Sequence, residues 1–164
     1  MAKELKQIII SMLAKHNTAT IATLNTAGKP EAAAVFYVNN CLDLFFLSNP
    51  NSRHAGNISG GVDCAITIQK DYNNWQDIKG LQLEGTVVPV DDNVKKALAL
   101  KAYLKKYSFL NTPLPQGHKL LSALHKSKIY HFVPSIIWVT DNNYSFGKRR
   151  ELRLDNLRNE YYEY

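Results

Sequence analysis

The sequence predicts an α+β fold built on a closed or nearly closed antiparallel β-barrel of five to seven strands with flanking helices. Two observations predict it. Short β-branched or apolar runs follow one another between residues 18 and 90, separated by turn residues. Helical patterns precede and follow these runs. With 164 residues, of which 45% are hydrophobic, the chain has the size of a single domain over residues 1–164.

The first ninety residues predict an opening helix, five strands and a short helix that follows Ser52. Leu5, Ile9 and Leu13 recur at helical spacing, which predicts an amphipathic helix over residues 3–15 that covers one face of a sheet. Strands are predicted at residues 18–24, 31–38, 41–47, 62–69 and 81–90. The last of these contains Gly85, which predicts a break in the strand because glycine weakens strand interiors.

Beyond residue 90, the sequence predicts further helices and a long β segment. Asp91 and Asp92 can cap a helix that ends near Tyr107. Its apolar face is predicted to contain Val94, Ala97, Leu98, the stem of Lys101 and Leu104. A short helix is predicted around residues 120–124, a β segment interrupted by Pro134 over residues 129–139, and a final strand within residues 144–154.

The composition limits the classes of partner. A net charge of +6 and a pI near 9.3 indicate an anionic partner: nucleic acid, an anionic surface or a phosphorylated small molecule. Because the chain has no long polybasic arm, we expect no nucleic-acid partner. It also has no secretory pattern and no membrane-spanning apolar run, so we expect a cytoplasmic protein without a membrane partner. Cys41 and Cys64 are expected to be buried thiols, and no metal site is predicted.

The segment from Phe45 to His54 carries the strongest functional signal. A strand ends in Ser48, and four residues later Ser52 can cap a short helix that begins with Arg53 and His54. Two hydroxyls, a guanidinium, an imidazole and the N–H groups of the helix start could converge on one phosphate. An ordinary serine cap beside a solvated arginine would have the same sequence, so both interpretations stay open here.

This segment resembles the phosphate-binding stretch of the pyridoxamine-phosphate-oxidase-like, FMN-binding split barrels, in which Ser-Arg-Lys follows a strand that ends in Thr or Ser. His54 stands at the Lys position. A second stretch, Trp138–Lys148, is similar to the ending of an uncharacterised branch, the YhbP-like proteins, which carry Thr-Arg-His where this chain has Ser52-Arg53-His54. The resemblance covers most of the chain and implies an antiparallel split β-barrel.

The family resemblance implies a cofactor, FMN, and a homodimer in which the flavin ring lies at the interface. It implies backbone contacts from the second strand of the first hairpin and a contact from Lys148 of the partner subunit. The implied cofactor-binding residues are Ala33, Ala34, Val35, Leu47, Ser48, Ser52, Arg53, His54, Gln82 and Lys148. Without the resemblance, the alanines would equally suit packing under the first helix.

The implied function is an FMN-dependent oxidoreductase acting on an unknown small molecule, with a reduced nicotinamide or another small electron donor. True pyridoxamine-phosphate oxidase activity is not expected, because Glu31 and three alanines replace basic flavin contacts and Asn142–Phe146 replaces an Arg-x-His substrate motif. No catalytic residue is assigned. The alternative is a non-enzymatic module that binds flavin, haem or a deazaflavin, and His54 or His125 would be the axial ligand of a haem.

Overall fold

The computed structural model describes residues 2–111 and 126–154. The helices in these ranges are α1 (Ala2–Lys15), α2 (Arg53–Asn57) and α3 (Asn93–Lys106). The strands are β1 (Thr18–Leu24), β2 (Pro30–Asn40), β3 (Asp43–Ser48), β4 (Val62–Gln69), β5 (Lys79–Pro89), β6 (Lys128–Asp141) and β7 (Arg149–Arg153). Short 3-10 turns lie at Trp75–Asp77 and Ser108–Asn111. The helix predicted around residues 120–124, and His125 with it, lies outside the described residues.

Six of these strands form a closed antiparallel barrel. The hydrogen-bonded order is β3-β2-β1-β4-β5-β6, and β3 also pairs with β6, which closes the cylinder. β7 is an additional strand on β6. The predicted α+β split barrel is therefore confirmed. The final strand predicted within residues 144–154 is present but shorter than that range, because β6 continues to Asp141 and β7 begins only at Arg149.

β6 pairs with β5 along almost its whole length, and on its other side it pairs first with β3 and then with β7. The change from β3 to β7 occurs at a bulge where two residues that interrupt strands face each other. The first half of β6 pairs with β3 as far as Phe132, and its second half pairs with β7 from Ile136 onward. At the change, Gly85 of β5 lies opposite Pro134 and the register shifts, which leaves Ser135 as the extra residue. The Ser135 hydroxyl donates to the carbonyl of Glu84 at 3.1 Å. Each predicted interruption is thus one side of a single bulge.

The main core fills the barrel, and α1 covers one of its ends. Leu5, Ile9 and Leu13 are buried in the same cluster as the inward residues of the strands, as their helical spacing predicts. Strand residues alternate between buried and exposed positions, most regularly along β1. A second cluster outside the barrel contains Tyr103 and Tyr107 of the α3 region, packed on Val38 and Phe45.

The predicted apolar face of α3 is wrong. Val94, Leu98 and Leu104 are exposed, whereas Ala99 and Tyr103 are the buried residues of the helix. The cause is the surface of the barrel on which α3 packs, because this surface presents backbone carbonyls as well as apolar side chains. The Tyr107 hydroxyl donates to the carbonyls of Asn17 and Tyr37, and the Tyr103 hydroxyl donates to the carbonyl of Phe36 at 2.7 Å. Periodicity of apolar residues cannot reveal such acceptors.

The expectation for the two cysteines is corrected in part. Cys41 is exposed, because it occupies the turn between β2 and β3 with a φ of 53° rather than the start of a strand. Cys64 is partly buried against the main core, and its burial raises the pKa of the thiol to about 12. Both thiols are free.

Tyr103 bridges β2 and β3 at the point where the two strands separate. Its hydroxyl accepts from the N–H of Leu47 at 3.2 Å and donates toward the carbonyls of Phe36 and Phe45. Strand pairing between β2 and β3 ends at Tyr37 and Phe46, so Phe36 and Leu47 lie just beyond the last strand pair.

We expect Tyr103→Phe to lower the free energy of unfolding by about 1–3 kcal/mol, because it leaves buried backbone groups without a partner while keeping the ring. Urea unfolding of the variant measures this loss. Tyr144→Phe is the control: Tyr144 is 77% exposed, so its unfolding midpoint should match that of the unaltered protein. An unchanged midpoint for Tyr103→Phe would contradict the bridging role.

Candidate functional site

The predicted phosphate-binding residues form a hydrogen-bonded cluster where β3 ends and α2 begins. The Oγ atoms of Ser48 and Ser52 are 3.0 Å apart, and Nε2 of His54 lies 2.7 Å from Ser48 Oγ and 3.4 Å from Ser52 Oγ. Ser52 is also the N-cap of α2, since its Oγ accepts from the N–H of Ala55. Three of the four predicted side chains therefore meet at one point.

Arg53 turns away from that cluster toward β2. Its guanidinium lies 3.8 Å from the carboxylate of Glu31, and its side chain is 85% exposed. Such an ion pair is weak, because water screens both charges. The Arg53 side chain is therefore free to swing toward an anion bound at the cluster without losing a strong contact.

Glu31 is held in place by two amides that the sequence interpretation did not include. Nδ2 of Asn57 donates to Glu31 Oε2 at 3.0 Å and to the Thr23 hydroxyl at 3.1 Å. Nδ2 of Asn25 approaches the other carboxylate oxygen at 3.4 Å. These contacts fix α2 against the β1–β2 hairpin. Because Asn57 and Glu31 are far apart in the chain, no local motif indicates the pairing.

Partial burial disfavours the protonated form of the His54 ring. Burial lowers the pKa of His54 below its ordinary value, and the negative charge of Glu31 offsets part of that shift. Glu31 on β2 is the charged group that acts on the ring, and Arg53, the neighbour of His54 in the chain, pairs with Glu31. An arriving phosphate would add negative charge here and raise the pKa of the ring.

One edge of β2 has no strand partner over residues 30–36 within the described part of the chain. β1 pairs with these residues, whereas β3 pairs only with residues 37–40. The N–H of Tyr37 donates to Asn17, on the β1 side, so the alternation of an antiparallel ladder turns the polar backbone groups of Ala34 toward the open edge. Those of Ala33 and Val35 are directed to β1. Of the three predicted backbone contacts, the geometry allows this edge contact for Ala34.

The side chains of the same three residues divide between the two faces of the barrel wall. Val35 is buried and Ala33 partly buried, as the alternative interpretation of core packing expects, while Ala34 is exposed. The outer face next to Ala34 is lined by small exposed side chains. These are Thr20, Ala22, Ala32 and Ala65.

Three other predicted residues, Leu47, Gln82 and Lys148, are not members of the hydrogen-bonded cluster. Leu47 is partly buried, and its N–H is taken by the Tyr103 hydroxyl. Gln82 lies on the outer face between Thr67 and Trp138, three strands from β2, which is about 14 Å across the sheet. Lys148 lies beyond the end of β6 in the turn to β7. Within one protomer the structure does not bring Gln82 or Lys148 to the cluster.

His131 pairs with a carboxylate and packs on a neighbouring strand, away from the Ser48 cluster. Nε2 of His131 lies 2.8 Å from Asp43 Oδ2, and its ring stacks on Phe45, its cross-strand neighbour, at 4.4 Å. Within residues 2–111 and 126–154, no group of three or more His, Cys, Asp or Glu side chains is arranged to hold a metal ion. In the same ranges, no helix combines the length and apolar character needed to cross a bilayer.

The fold and this site define the class of protein. A closed six-stranded antiparallel barrel with a serine- and histidine-lined cluster at a strand end matches the split-barrel architecture. The family model described as pyridoxamine 5'-phosphate oxidase matches residues 3–126. The chain belongs to this family.

The chain is also similar to individual proteins in sequence or in structure. It is 27% identical over 150 residues to the UPF0306 protein plu4501 of Photorhabdus laumondii, covering 90% of this chain and 95% of that protein. Among solved structures, it resembles a heme binding protein from Mycobacterium smegmatis, with a TM-score of 0.69, 17% identity, and coverage of 93% of this chain and 57% of that one. It also resembles the heme storage protein HutZ from Vibrio cholerae, with a TM-score of 0.58, 17% identity, and coverage of 80% and 88%. At such identities the structural likeness establishes the fold alone.

Proposed function

We propose that this protein binds FMN as a homodimer and acts as a flavin-dependent oxidoreductase on a small molecule. One observation carries the proposal: α2, which contains His54 of the cluster with Ser48 and Ser52, is held against β2 by the contacts of Arg53 and Asn57 with Glu31. A phosphate site and an open strand edge that can accept a planar ring are therefore neighbours. We place the protein, as one domain over residues 1–164, in the cytoplasm, where its two thiols stay free.

The residues at the cluster suit a phosphate group. Ser48 and Ser52 each supply a hydroxyl, the His54 ring supplies an N–H and can take up a proton, and the Arg53 guanidinium is mobile enough to reach in. Ser48 is 7% exposed, so a bound phosphate would sit at the bottom of the site rather than on its surface. The negative charge of Glu31 would repel the phosphate, and the contacts with Asn57 and Asn25 hold the Glu31 carboxylate in place.

The open edge of β2 suits a flat ring. The N–H and C=O groups of Ala34 are available for hydrogen bonds, and the small side chains on the outer face leave room for close approach. Phe36, 51% exposed, lies at the end of this surface. An exposed apolar wall of this kind favours coverage by a partner subunit, which supports a homodimer.

FMN, when bound, supplies two-electron redox chemistry. The chain's own residues would retain it through the phosphate cluster and orient its ring along β2. A partner subunit lying over Ala34 and Phe36 would exclude water from that surface. No described side chain at the cluster is assigned to proton transfer with substrate, so the substrate and the electron donor would enter beside the ring.

Haem binding is the second candidate, because two proteins of similar fold are described as heme-binding and heme-storing. The geometry favours it less. Of the two axial ligands that the sequence suggests, His125 lies outside the described residues, and Nε2 of His54 already lies at hydrogen-bonding distance from Ser48. Nε2 of His131 is likewise engaged by Asp43.

The test is the absorbance spectrum of the purified protein, followed by titration with FMN. We expect the visible absorption bands of flavin in the protein as purified or after FMN is added. Arg53→Ala should weaken FMN binding about tenfold, because it removes one charge-assisted contact. The matched control is Arg153→Ala, which removes another exposed arginine, on β7, paired with Glu151. Its FMN affinity should be unchanged.

Three results would count against the flavin proposal. A protein that never holds FMN would end it. A haem spectrum that persists in the presence of FMN would favour the second candidate. Equal loss in the Arg53 and Arg153 variants, with a steep salt dependence, would indicate a general polyanion binder.

A further inference from the structure

α3 presents large apolar side chains to solvent on the side that faces away from the barrel. Ala99 and Tyr103 are the buried residues of the helix. Val94 and Leu98, one turn apart on the opposite side, are 68% and 61% exposed, and Leu104 is exposed as well. We call Val94, Leu98 and Leu104 the outer stripe of α3. Apolar residues that line one side of a helix over about three turns indicate a contact surface rather than scattered exposure.

Hydrogen bonds to the barrel fix this orientation of the helix. The hydroxyls of Tyr103 and Tyr107 donate to backbone carbonyls of the barrel. The Lys106 ammonium donates to the carbonyls of His16 at 2.7 Å and Tyr37 at 3.1 Å, and it lies 4.1 Å from the centre of the Tyr37 ring. A rotation of α3 that buried the outer stripe would break these contacts. The stripe therefore stays on the solvent side of the folded chain.

The helix is also strongly cationic. It contains five lysines and no acidic residue. Lys106 is turned toward the barrel, whereas Lys95, Lys101 and Lys105 are exposed and form no ion pair with a carboxylate of the described residues. The carboxylate of Asp92, which precedes the helix, is engaged as its N-cap by the N–H of Lys95 at 2.7 Å. The solvent side of α3 thus combines apolar surface with unbalanced positive charge.

The placement of the lysines favours a lipid surface over a protein groove. Lys101 and Lys105 lie on the same side of the helix as Val94 and Leu98, two turns further along. A protein groove that enclosed this side would have to remove water from both charges. At a bilayer surface, the stems of the lysines can lie on apolar groups while their ammonium groups reach the headgroups. A helix with leucines at the acyl boundary and lysines at anionic headgroups lies in the plane of the surface.

We propose that α3 docks this protein on the surface of a bilayer that contains anionic phospholipids. Val94 and Leu98 enter the headgroup boundary, and Lys101 and Lys105 contact the lipid phosphates. The expectation of no membrane partner rests on the lack of a membrane-spanning run, which concerns helices that cross a bilayer and not helices that lie on its surface. The inference does not depend on FMN binding, because it uses only the solvent side of α3.

The test is sedimentation of the full chain with vesicles. We expect binding to vesicles of equal parts phosphatidylserine and phosphatidylcholine, at least tenfold tighter than to phosphatidylcholine alone at low salt. Leu98→Gln should weaken binding to the mixed vesicles about fivefold or more, because it removes an inserted apolar side chain. The matched control is Leu24→Gln, which changes a leucine of equal exposure at the end of β1 and should bind as the unaltered protein does.

A second pair of variants tests the charge. Lys101→Gln should weaken binding to the mixed vesicles about fivefold, the contribution of one lysine near an anionic surface. Lys29→Gln, at an exposed position in the turn between β1 and β2, should leave the affinity unchanged. Leu98→Trp should bind at least as tightly as the unaltered protein, because tryptophan favours the bilayer interface.

Three results would overturn the proposal. The first is a failure of the unaltered protein to bind the mixed vesicles. The second is a loss of binding in Lys101→Gln and Lys29→Gln alike with none in Leu98→Gln, which would indicate adsorption by net charge alone. The third is an unchanged vesicle affinity in Leu98→Gln together with a smaller assembly in gel filtration, which would assign the outer stripe to a second copy of the chain. Leu98→Gln should keep its unfolding midpoint and its FMN affinity, so failure of docking and failure of flavin binding are separate outcomes.

Discussion

Gly85→Ala is expected to lower the free energy of unfolding by about 3 kcal/mol or more, because an added β-carbon at Gly85 has closer contacts than at any other glycine of the described residues. A β-carbon at Gly85 would lie 2.3 Å from the carbonyl oxygen of Val133, 2.7 Å from Cα of Pro134 and 2.9 Å from the ring of Phe132. Two of these atoms are backbone and the ring is fully buried, so none can move alone.

The clash has this effect because of where it falls. The backbone at Val133 and Pro134 lies at the bulge where β6 leaves β3 and takes β7 as its neighbour. Displacing it would disturb barrel closure as well as local packing. Chemical unfolding followed by circular dichroism measures the effect, with a large fall in soluble yield as its extreme form.

Gly56→Ala is the control for Gly85→Ala. Gly56 lies in α2, and a β-carbon there would meet no atom within 4 Å. Alanine favours helix over glycine, so this variant should be as stable as the unaltered protein or more stable by up to about 1 kcal/mol. A Gly85→Ala protein that unfolds at the same midpoint as Gly56→Ala would refute the close approach.

The bulge also explains how far the sequence predicts the fold. Gly85 and Pro134 were each predicted to interrupt a strand, and each does, because the effect of both residues on strand pairing is local. That the two interruptions are one feature depends on the pairing of β5 with β6, which brings together residues almost fifty positions apart. Local patterns contain no information on that pairing.

The candidate site was likewise predictable from the sequence only in its local part. Ser48, Ser52 and His54 lie within seven residues, so a strand end followed by a helix cap was enough to predict that they meet. Glu31 and Asn57 join the site only because α2 packs on the β1–β2 hairpin. The face of α3 was mispredicted for a related reason, since the carbonyls that receive Tyr103 and Tyr107 come from another part of the chain.

The second large effect is expected in the pH dependence of FMN binding, which His54 should control. Before FMN binds, burial keeps the pKa of His54 below its ordinary value of about 6.5, so the folded protein holds fewer protons than the unfolded chain. The stability of the free protein should therefore fall as the pH drops below that value. Binding of the phosphate dianion shifts the pKa of the His54 ring in the opposite direction. It raises this pKa, so the complex takes up a proton as it forms.

The dissociation constant for FMN should consequently rise as the pH increases from 6.5 to 8, by up to about tenfold per pH unit. Below about pH 6 the phosphate itself gains a proton and the trend weakens. Riboflavin, which lacks the phosphate, should show no such rise. Fluorescence titration at several pH values measures both ligands.

His54→Lys makes this pH dependence a decisive test of the site. Lysine carries its charge throughout this range, so the variant should bind FMN with nearly constant affinity from pH 6.5 to 8 and more tightly than the unaltered protein at pH 8. His16→Gln is the control, since burial also lowers the pKa of His16, yet that residue lies at the end of α1, away from the cluster. It should keep the full pH dependence. If His54→Lys kept it too, the proton taken up on binding would belong to another group, and His54 would not contact the phosphate.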